Sequence, residues 1–149
     1  MKNIILIVED LPEEQQKAKD AVMQAGYRAA VTGTLDDGLR IWKLLENKLV
    51  GIITDLHFPE QTSDHKDLSD ANKPCGLAVI AEATRKGTPV VVCSNINHHF
   101  VLYVKKVIEV LGQYHPVGRI PFVMDSKDWS RAVKELIAIN NKKEVTDEK

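Results

Sequence analysis

The sequence predicts an α/β fold, a doubly wound (βα)₅ arrangement with one parallel five-stranded sheet covered by helices on both faces. Short runs of apolar and β-branched residues alternate along the chain with stretches of helical periodicity. Continuous apolar runs of this kind are typical of strands that are buried on both faces. Their regular alternation with helices predicts parallel strands joined by right-handed crossovers.

The composition is that of an ordinary globular domain. The chain has 149 residues and a net charge of −1, which argues against binding nucleic acid or an anionic membrane through bulk charge. Two cysteines are too few for a disulfide framework, so we expect a reducing, cytoplasmic location. No stretch approaches the roughly 18 apolar residues of a membrane span. We expect one domain over residues 1–140 and a fraying polar tail over 141–149.

The first half of the chain shows clear helix boundaries. Pro12 begins the first helix, because proline is favoured at the first helical position, and Gly26 can end it. Thr34, with Asp37 three residues later, resembles a capping box and begins the second helix. The predicted strands of this half are residues 4–8, 27–31 and 50–54.

The second half begins with an unusual connection. Residues 56–74 are polar, and this is long for an α/β fold, in which about 2–6 residues is common. A fifth strand is predicted at 117–120, before Pro121, and Ser126 can cap the last helix. The other elements of this half are a helix from Gly76, a strand at 89–93 and a helix over 100–111.

Three acidic residues directly follow predicted strands. Glu9 and Asp10 come after the first strand, and Asp55 comes after the third. Ligands of such sheets bind beyond the carboxyl ends of the strands, so we expect these acids to meet there. Crowded carboxylates repel one another, and a hard divalent cation such as Mg²⁺ relieves the repulsion. A carboxylate left free could attack phosphorus, with Ser94 from the fourth strand as a hydrogen-bond partner for a phosphoryl oxygen.

This constellation resembles the receiver domain of response regulators, a flavodoxin-like fold, over roughly residues 2–140. The resemblance implies that Asp55 is the phosphoacceptor and that Ser94, with Asn95, binds the phosphoryl group. The matching stretches are IILIVED (4–10), AGYRAAVTGTLDDGLRIW (25–42), GIITDLHFP (51–59), CGLAVI (75–80), PVVVCSN (89–95) and the Pro121-Phe122 step.

The resemblance also implies a Mg²⁺ site and a cis peptide bond. The implied metal ligands are Glu9, Asp10, Asp55 and the backbone carbonyl of His57. The Ile120–Pro121 bond is the one expected to be cis. Relative to the family pattern, residues 60–74 are an insertion that lies after the acceptor and could cover or extend the active face.

Two positions depart from the family pattern. Receivers carry a lysine immediately before the proline of the last loop, which binds the phosphoryl group, and this position is Ile120 here. The switch aromatic of the family, three residues earlier, would be Val117. Arg119 and Lys73 are the cations that could compensate for the lysine.

The resemblance implies a single-domain receiver of a two-component phosphorelay, phosphorylated on Asp55 by a histidine kinase or a phosphotransfer protein. It is then not an enzyme beyond its own phosphorylation and dephosphorylation. The signal would pass by protein contact through the face over residues 98–137, and a homodimer is left open. Partner contacts on this face are expected from Tyr103, Tyr114 and Phe122.

Two other functions compete with this interpretation. The first is a pseudo-receiver that binds proteins independently of phosphorylation, which Ile120 and Val117 favour. The second is a Mg²⁺-dependent phosphohydrolase of the haloacid dehalogenase type. That class usually shows a D-x-D motif, and His57 stands where the second acid would be.

Overall fold

The five strands form one parallel sheet in the order β2-β1-β3-β4-β5. The computed structural model describes residues 2–61, 73–95, 102–123 and 127–147. The strands are β1 (Ile4–Val8), β2 (Arg28–Thr32), β3 (Leu49–Thr54), β4 (Val90–Cys93) and β5 (Phe122–Val123). The helices are α1 (Pro12–Gln24), α2 (Leu35–Leu45), α3 (Gly76–Lys86), α4 (Leu102–Gly112) and α5 (Trp129–Asp147), with a 3₁₀ turn at Glu46–Lys48. The predicted doubly wound α/β fold is confirmed.

Alternate residues of β1 contribute to two separate cores. Leu6 and Val8 pack in the layer that contains α2, α3 and α4. Ile5 and Ile7 pack in the layer that contains α1 and α5. All four side chains are at most 1% exposed, which explains why the run is apolar without alternation.

The helix boundaries follow local chemistry, as the sequence predicts. Pro12 occupies the first turn of α1. The Thr34 hydroxyl accepts a hydrogen bond from the Asp37 N–H at 3.4 Å and caps α2. Gly87 ends α3 in a left-handed conformation with φ of 69°. Ser126, the predicted cap of the last helix, lies outside the described residues, and Asp128 caps α5 by accepting the Arg131 N–H at 3.1 Å.

The predicted position of the fifth strand was wrong. Residues 117–120 belong to the connection before β5, because a turn closes there with the Gly118 N–H donating to the His115 carbonyl at 2.8 Å. Gly118 has φ of +77°, which suits glycine. Pairing with β4 begins only at Pro121, whose carbonyl accepts the Val92 N–H at 3.0 Å. The strand is therefore Phe122–Val123.

The expected cis bond before Pro121 was also wrong. No peptide bond within the described ranges is cis, so the Ile120–Pro121 bond is trans. Trans is the preferred isomer of most X–Pro bonds, and the implied cis bond depended on aligning Ile120 with the lysine of the family. Ile120 instead packs in the core beside α4 and is 6% exposed.

Residues 141–147, in the segment expected to fray, are helical. Helix α5 continues to Asp147. The Lys143 ammonium donates to the carbonyl of Gly87 at 2.6 Å, which ties this last part of α5 to the end of α3. None of the helices that the structure describes is long and apolar enough to cross a membrane.

The connection after β3 is closed at its base. Phe58 forms an isolated parallel bridge with Pro74. The carbonyls of Pro59 and Glu60 accept the Leu35 and Asp36 N–H groups at 3.0 and 3.1 Å, which satisfies two donors at the start of α2. Most of the insertion predicted at 60–74 lies outside the described residues.

Candidate functional site

The acidic residues meet where the strand order reverses, at the carboxyl ends of β1 and β3. The Glu9 N–H donates to Thr32 of β2 at 2.9 Å, and the Asp55 N–H donates to Val8 of β1 at 2.9 Å. Both residues therefore continue the hydrogen bonding of their strands. Carboxylate oxygens of Glu9, Asp10 and Asp55 all lie within 4.8 Å of one another. The structure thus brings together the three acids that the sequence placed at one site.

Burial changes the acidity of this cluster. Glu9 is completely buried and Asp55 is 6% exposed. Burial, with the charge of Asp55 as the second cause, raises the pKa of Glu9 to about 8. Burial likewise raises the pKa of the half-buried Asp10 above its ordinary value. The cluster therefore resists carrying three negative charges unless a cation is near.

The structure supplies one such cation, Lys127. Its ammonium donates hydrogen bonds to Oε1 of Glu9 and, at 3.2 Å, to Oδ2 of Asp55. The Lys127 side chain is 3% exposed. Burial lowers the pKa of Lys127, but the hydrogen bond to Glu9 and the charge of Asp55 outweigh it, so the pKa lies above its ordinary value.

Sequence reasoning missed Lys127 because it placed the fifth strand too early and so took Ile120 for the lysine position. Arg119 is exposed and Lys73 pairs with Glu60 at 3.2 Å on the surface, so neither stands in for that lysine. Val117, the position expected for the switch aromatic, lies in the connection before β5 and not in a strand. One usable signal was the apolar pair Phe122-Val123, which ends shortly before Lys127.

Both carboxylate oxygens of Asp55 are held. Oδ1 accepts the backbone N–H of Leu56 at 2.7 Å, and Oδ2 accepts from Lys127. Helix α3 begins against the same residue, because the Gly76 N–H donates to the Leu56 carbonyl at 2.9 Å. A Cβ on Gly76 would overlap the Asp55 carbonyl oxygen and lie 2.8 Å from Leu56 Cα. Glycine at position 76 therefore allows the start of α3 to lie this close to the backbone of Asp55 and Leu56.

Ser94, the predicted phosphoryl-binding residue, lies at the same edge of the sheet as Asp55. Strand β4 runs beside β3 with Val92 opposite Thr54, which brings Ser94 to the same edge of the sheet. Ser94 is 1% exposed and its N–H donates to Val123 at 3.0 Å, whereas Asn95 is exposed.

His57 lies two residues beyond Asp55 and is half-buried. Its buried Nδ1 has no hydrogen-bond partner within the part of the chain that the structure describes. Burial lowers the pKa of His57, and the charge of Asp55 opposes this. The imidazole is therefore biased toward its neutral form beside the acidic cluster.

Comparisons with known proteins identify the fold. No protein-family model matches the chain, and no curated protein matches it. It is similar to a response regulator receiver domain protein from Clostridium thermocellum, with 19% identity and a TM-score of 0.66 over 97% of this chain and 98% of that one. The signal receiver domain of a putative LuxO repressor protein from Vibrio parahaemolyticus matches with 17% identity and a TM-score of 0.68, over 99% and 96%.

A third solved structure agrees with these two. The chemotaxis response regulator CheY4 of Vibrio cholerae matches with 15% identity and a TM-score of 0.63, over 93% of this chain and 99% of that one. The chain therefore has the receiver-domain fold, which confirms the resemblance at the level of the fold.

Proposed function

We propose that the chain, which has the receiver-domain fold, is a response-regulator receiver that accepts a phosphoryl group on Asp55. The observation that carries the proposal is the placement of Lys127 between Glu9 and Asp55. A buried ammonium beside a buried carboxylate is suited to bind the oxygens of a phosphoryl group that joins that carboxylate. The sequence alone suggested that this cation was missing.

The reaction is an in-line displacement at phosphorus. A carboxylate oxygen of Asp55 forms a new P–O bond as the bond to the leaving group breaks, and the bonding electron pair departs with the leaving group. The leaving group is acetate from acetyl phosphate, or the imidazole nitrogen of a phosphohistidine. Lys127 places positive charge beside the incoming phosphoryl oxygens, and the Ser94 hydroxyl donates a hydrogen bond to one of them.

The acidic cluster fits Mg²⁺. Glu9, Asp10, Asp55 and the His57 carbonyl would supply hard oxygen ligands, and the pKa of Glu9, raised by burial and by the charge of Asp55, would be lowered by a bound dication. A bound Mg²⁺ would neutralise charge on the phosphoryl oxygens. Glu9 and Asp10 would hold the ion, and Asp55 would both bind it and accept the phosphoryl group.

The partners follow from the same proposal. A histidine kinase or a phosphotransfer protein donates the phosphoryl group in the cytoplasm, and a downstream protein or a second copy of the chain contacts the face over residues 98–137. On the described part of that face, Tyr103 is 55% exposed and Tyr114 is 70% exposed. Phe122 is half-buried, so it contributes less surface.

The test is an intact-mass measurement after incubation with acetyl phosphate, with and without Mg²⁺. We expect one added phosphoryl group on the wild type with Mg²⁺, and none on Asp55→Asn or without the metal. Lys127→Met should form the adduct much more slowly. Adduct on Asp55→Asn would place the acceptor elsewhere and contradict the proposal.

The pseudo-receiver loses the two observations that favoured it, because Ile120 and Val117 are not at the site. It becomes an outcome of the same test. If no adduct forms, a beryllofluoride titration followed by NMR separates a short-lived phosphate from a binding module. Absence of any shift near Asp55 and Ser94 would then favour the module.

A further inference from the structure

The first turn of α1 holds both sides of the ion pair between Glu9 and Lys127. The Gln15 side-chain amide donates to the backbone carbonyl of Glu9 at 2.6 Å. Its neighbour Glu14 accepts, through Oε2, the indole N–H of Trp129 at 2.7 Å. Trp129 is the first residue of α5 and lies two residues after Lys127. Consecutive residues of one helical turn therefore attach to the strand end that carries the acid and to the helix that follows the lysine.

The backbone at Lys127 needs such support. Lys127 has φ of 45°, a left-handed conformation that a side chain with a Cβ disfavours. The residue that follows Lys127, Asp128, caps α5, because its carboxylate accepts the Arg131 N–H at 3.1 Å. This bond stabilises the first turn of α5, but it does not connect α5 to the other elements of the site.

The bond between Glu14 and Trp129 supplies that attachment. Trp129 is 3% exposed, and the Glu14 side chain is 16% exposed. Water is therefore largely excluded from a hydrogen bond whose acceptor is charged, which strengthens it. The other oxygen of Glu14 faces the exposed Lys17 at 3.5 Å, a pair that solvent screens.

We propose that Glu14 is a positioning residue, which fixes the start of α5 through Trp129 and so keeps the Lys127 ammonium between Glu9 and Asp55. Glu14 does not contact the reacting atoms. The kinetic consequence of this inference rests on the proposed function of Asp55, but the structural consequence does not. Loss of the bond should let α5 shift at its first residue and relax the strained backbone at Lys127.

The structural test is NMR spectroscopy of the full chain without phosphodonor or metal. The variants are Glu14→Ala, which removes the acceptor, and Glu14→Gln, which keeps an acceptor oxygen. Glu13→Ala is the matched control, because it removes the same charge from an exposed neighbour in the same turn. A strong intraresidue HN–Hα Overhauser effect marks the positive φ at Lys127. We expect it to weaken in Glu14→Ala only, together with an upfield shift of the Trp129 indole proton.

The kinetic test is the rate of Asp55 phosphorylation at saturating Mg²⁺ and acetyl phosphate. Displacing a positioned charged group is expected to slow Glu14→Ala by about tenfold. Glu14→Gln and Glu13→Ala should stay within about twofold of the wild type, both in this rate and in the half-saturating Mg²⁺ concentration. Lys17→Ala, which removes the partner of the other Glu14 oxygen, should behave like the wild type.

The outcomes separate the two proposals. Unchanged Lys127 signals and rates in Glu14→Ala would overturn the positioning role. Equal slowing in Glu13→Ala would also overturn it, by assigning the effect to charge in the first turn. If the wild type forms no adduct, the proposed function fails, and the Overhauser effect at Lys127 still decides whether Glu14 positions that residue.

Discussion

His115 should make the folded state sensitive to acid. It lies between α4 and β5, is 4% exposed, and accepts the backbone N–H of Val90 on its Nε2 at 3.0 Å. A protonated ring could not accept this bond at Nε2. Burial, as the main cause, lowers the pKa of His115 from 6.5 to about 4. The neutral ring is therefore part of the fold at the beginning of β4.

The sign and size of the effect follow from linkage. The folded pKa is below the unfolded one, so the stabilisation is present above pH 6.5 and is lost as the pH falls toward 4. The interval from 6.5 to about 4, at about 1.36 kcal/mol for each pH unit, corresponds to about 3 kcal/mol of unfolding free energy. Glu9, with its raised pKa, acts in the opposite sense, because the folded state then binds its proton more tightly.

The assay compares the wild type with His115→Gln in urea unfolding between pH 7.5 and pH 4. The glutamine oxygen can accept the Val90 N–H but does not titrate, and the contribution of Glu9 cancels in the difference. We expect the wild type to lose about 3 kcal/mol more than the variant over this range. A difference in unfolding free energy that stays constant with pH would refute the reasoning.

Three further substitutions test the site. Lys127→Met should cost about 3 kcal/mol in urea unfolding at pH 9 with chelator present, because it leaves buried carboxylates without their cation. The cost should shrink at pH 6, where Glu9 is protonated, and an equal cost at both pH values would contradict the charge argument. Gly76→Ala should cost about 2 kcal/mol through overlap with the backbone at the end of β3, whereas Gly38→Ala, whose nearest contact is 3.4 Å, should be nearly neutral. Asp10→Asn should weaken Mg²⁺ binding about tenfold by calorimetry, since it removes one of the charged oxygen ligands, and unchanged affinity would remove Asp10 from the metal site.

The sequence predicted the parts of the site that directly follow long strands. The run from Ile4 to Val8 is buried on both faces, so its pattern is unambiguous and locates Glu9 at the end of β1. The same holds for β3 and Asp55. Parallel strands of one sheet end at one edge, and this rule alone brought the acids together.

The lysine was not predictable in the same way. Strand β5 contains two residues, Phe122 and Val123, and a strand this short shows no recognisable hydrophobic periodicity. The β-branched residues Val117 and Ile120 suggested a strand at 117–120, but this segment forms a turn, and Ile120 packs in the core. Lys127 has a left-handed backbone, and Trp129, two residues later, bonds to Glu14 of α1; neither feature leaves a periodic signal in the sequence.

The C-terminal end of α5 was also not predictable from the local sequence. Residues 141–149 are polar, and composition alone favoured fraying. The contact of Lys143 with the carbonyl of Gly87 is formed between residues far apart in sequence, so no local pattern reports it. Local propensity is a weak guide where one tertiary contact extends a helix.

The position of one lysine favours the proposed phosphoryl acceptor over the binding module. With Ile120 at the lysine position, the acids could be solvated residues of a binding module. With Lys127 in place, two carboxylates and an ammonium are buried together, and apolar side chains in such places are often as stabilising or more so. A module that only binds proteins gains nothing from such a cluster. The proposed phosphoryl transfer would use it, because the charges that are costly in the resting fold are the ones that would hold the transferred group.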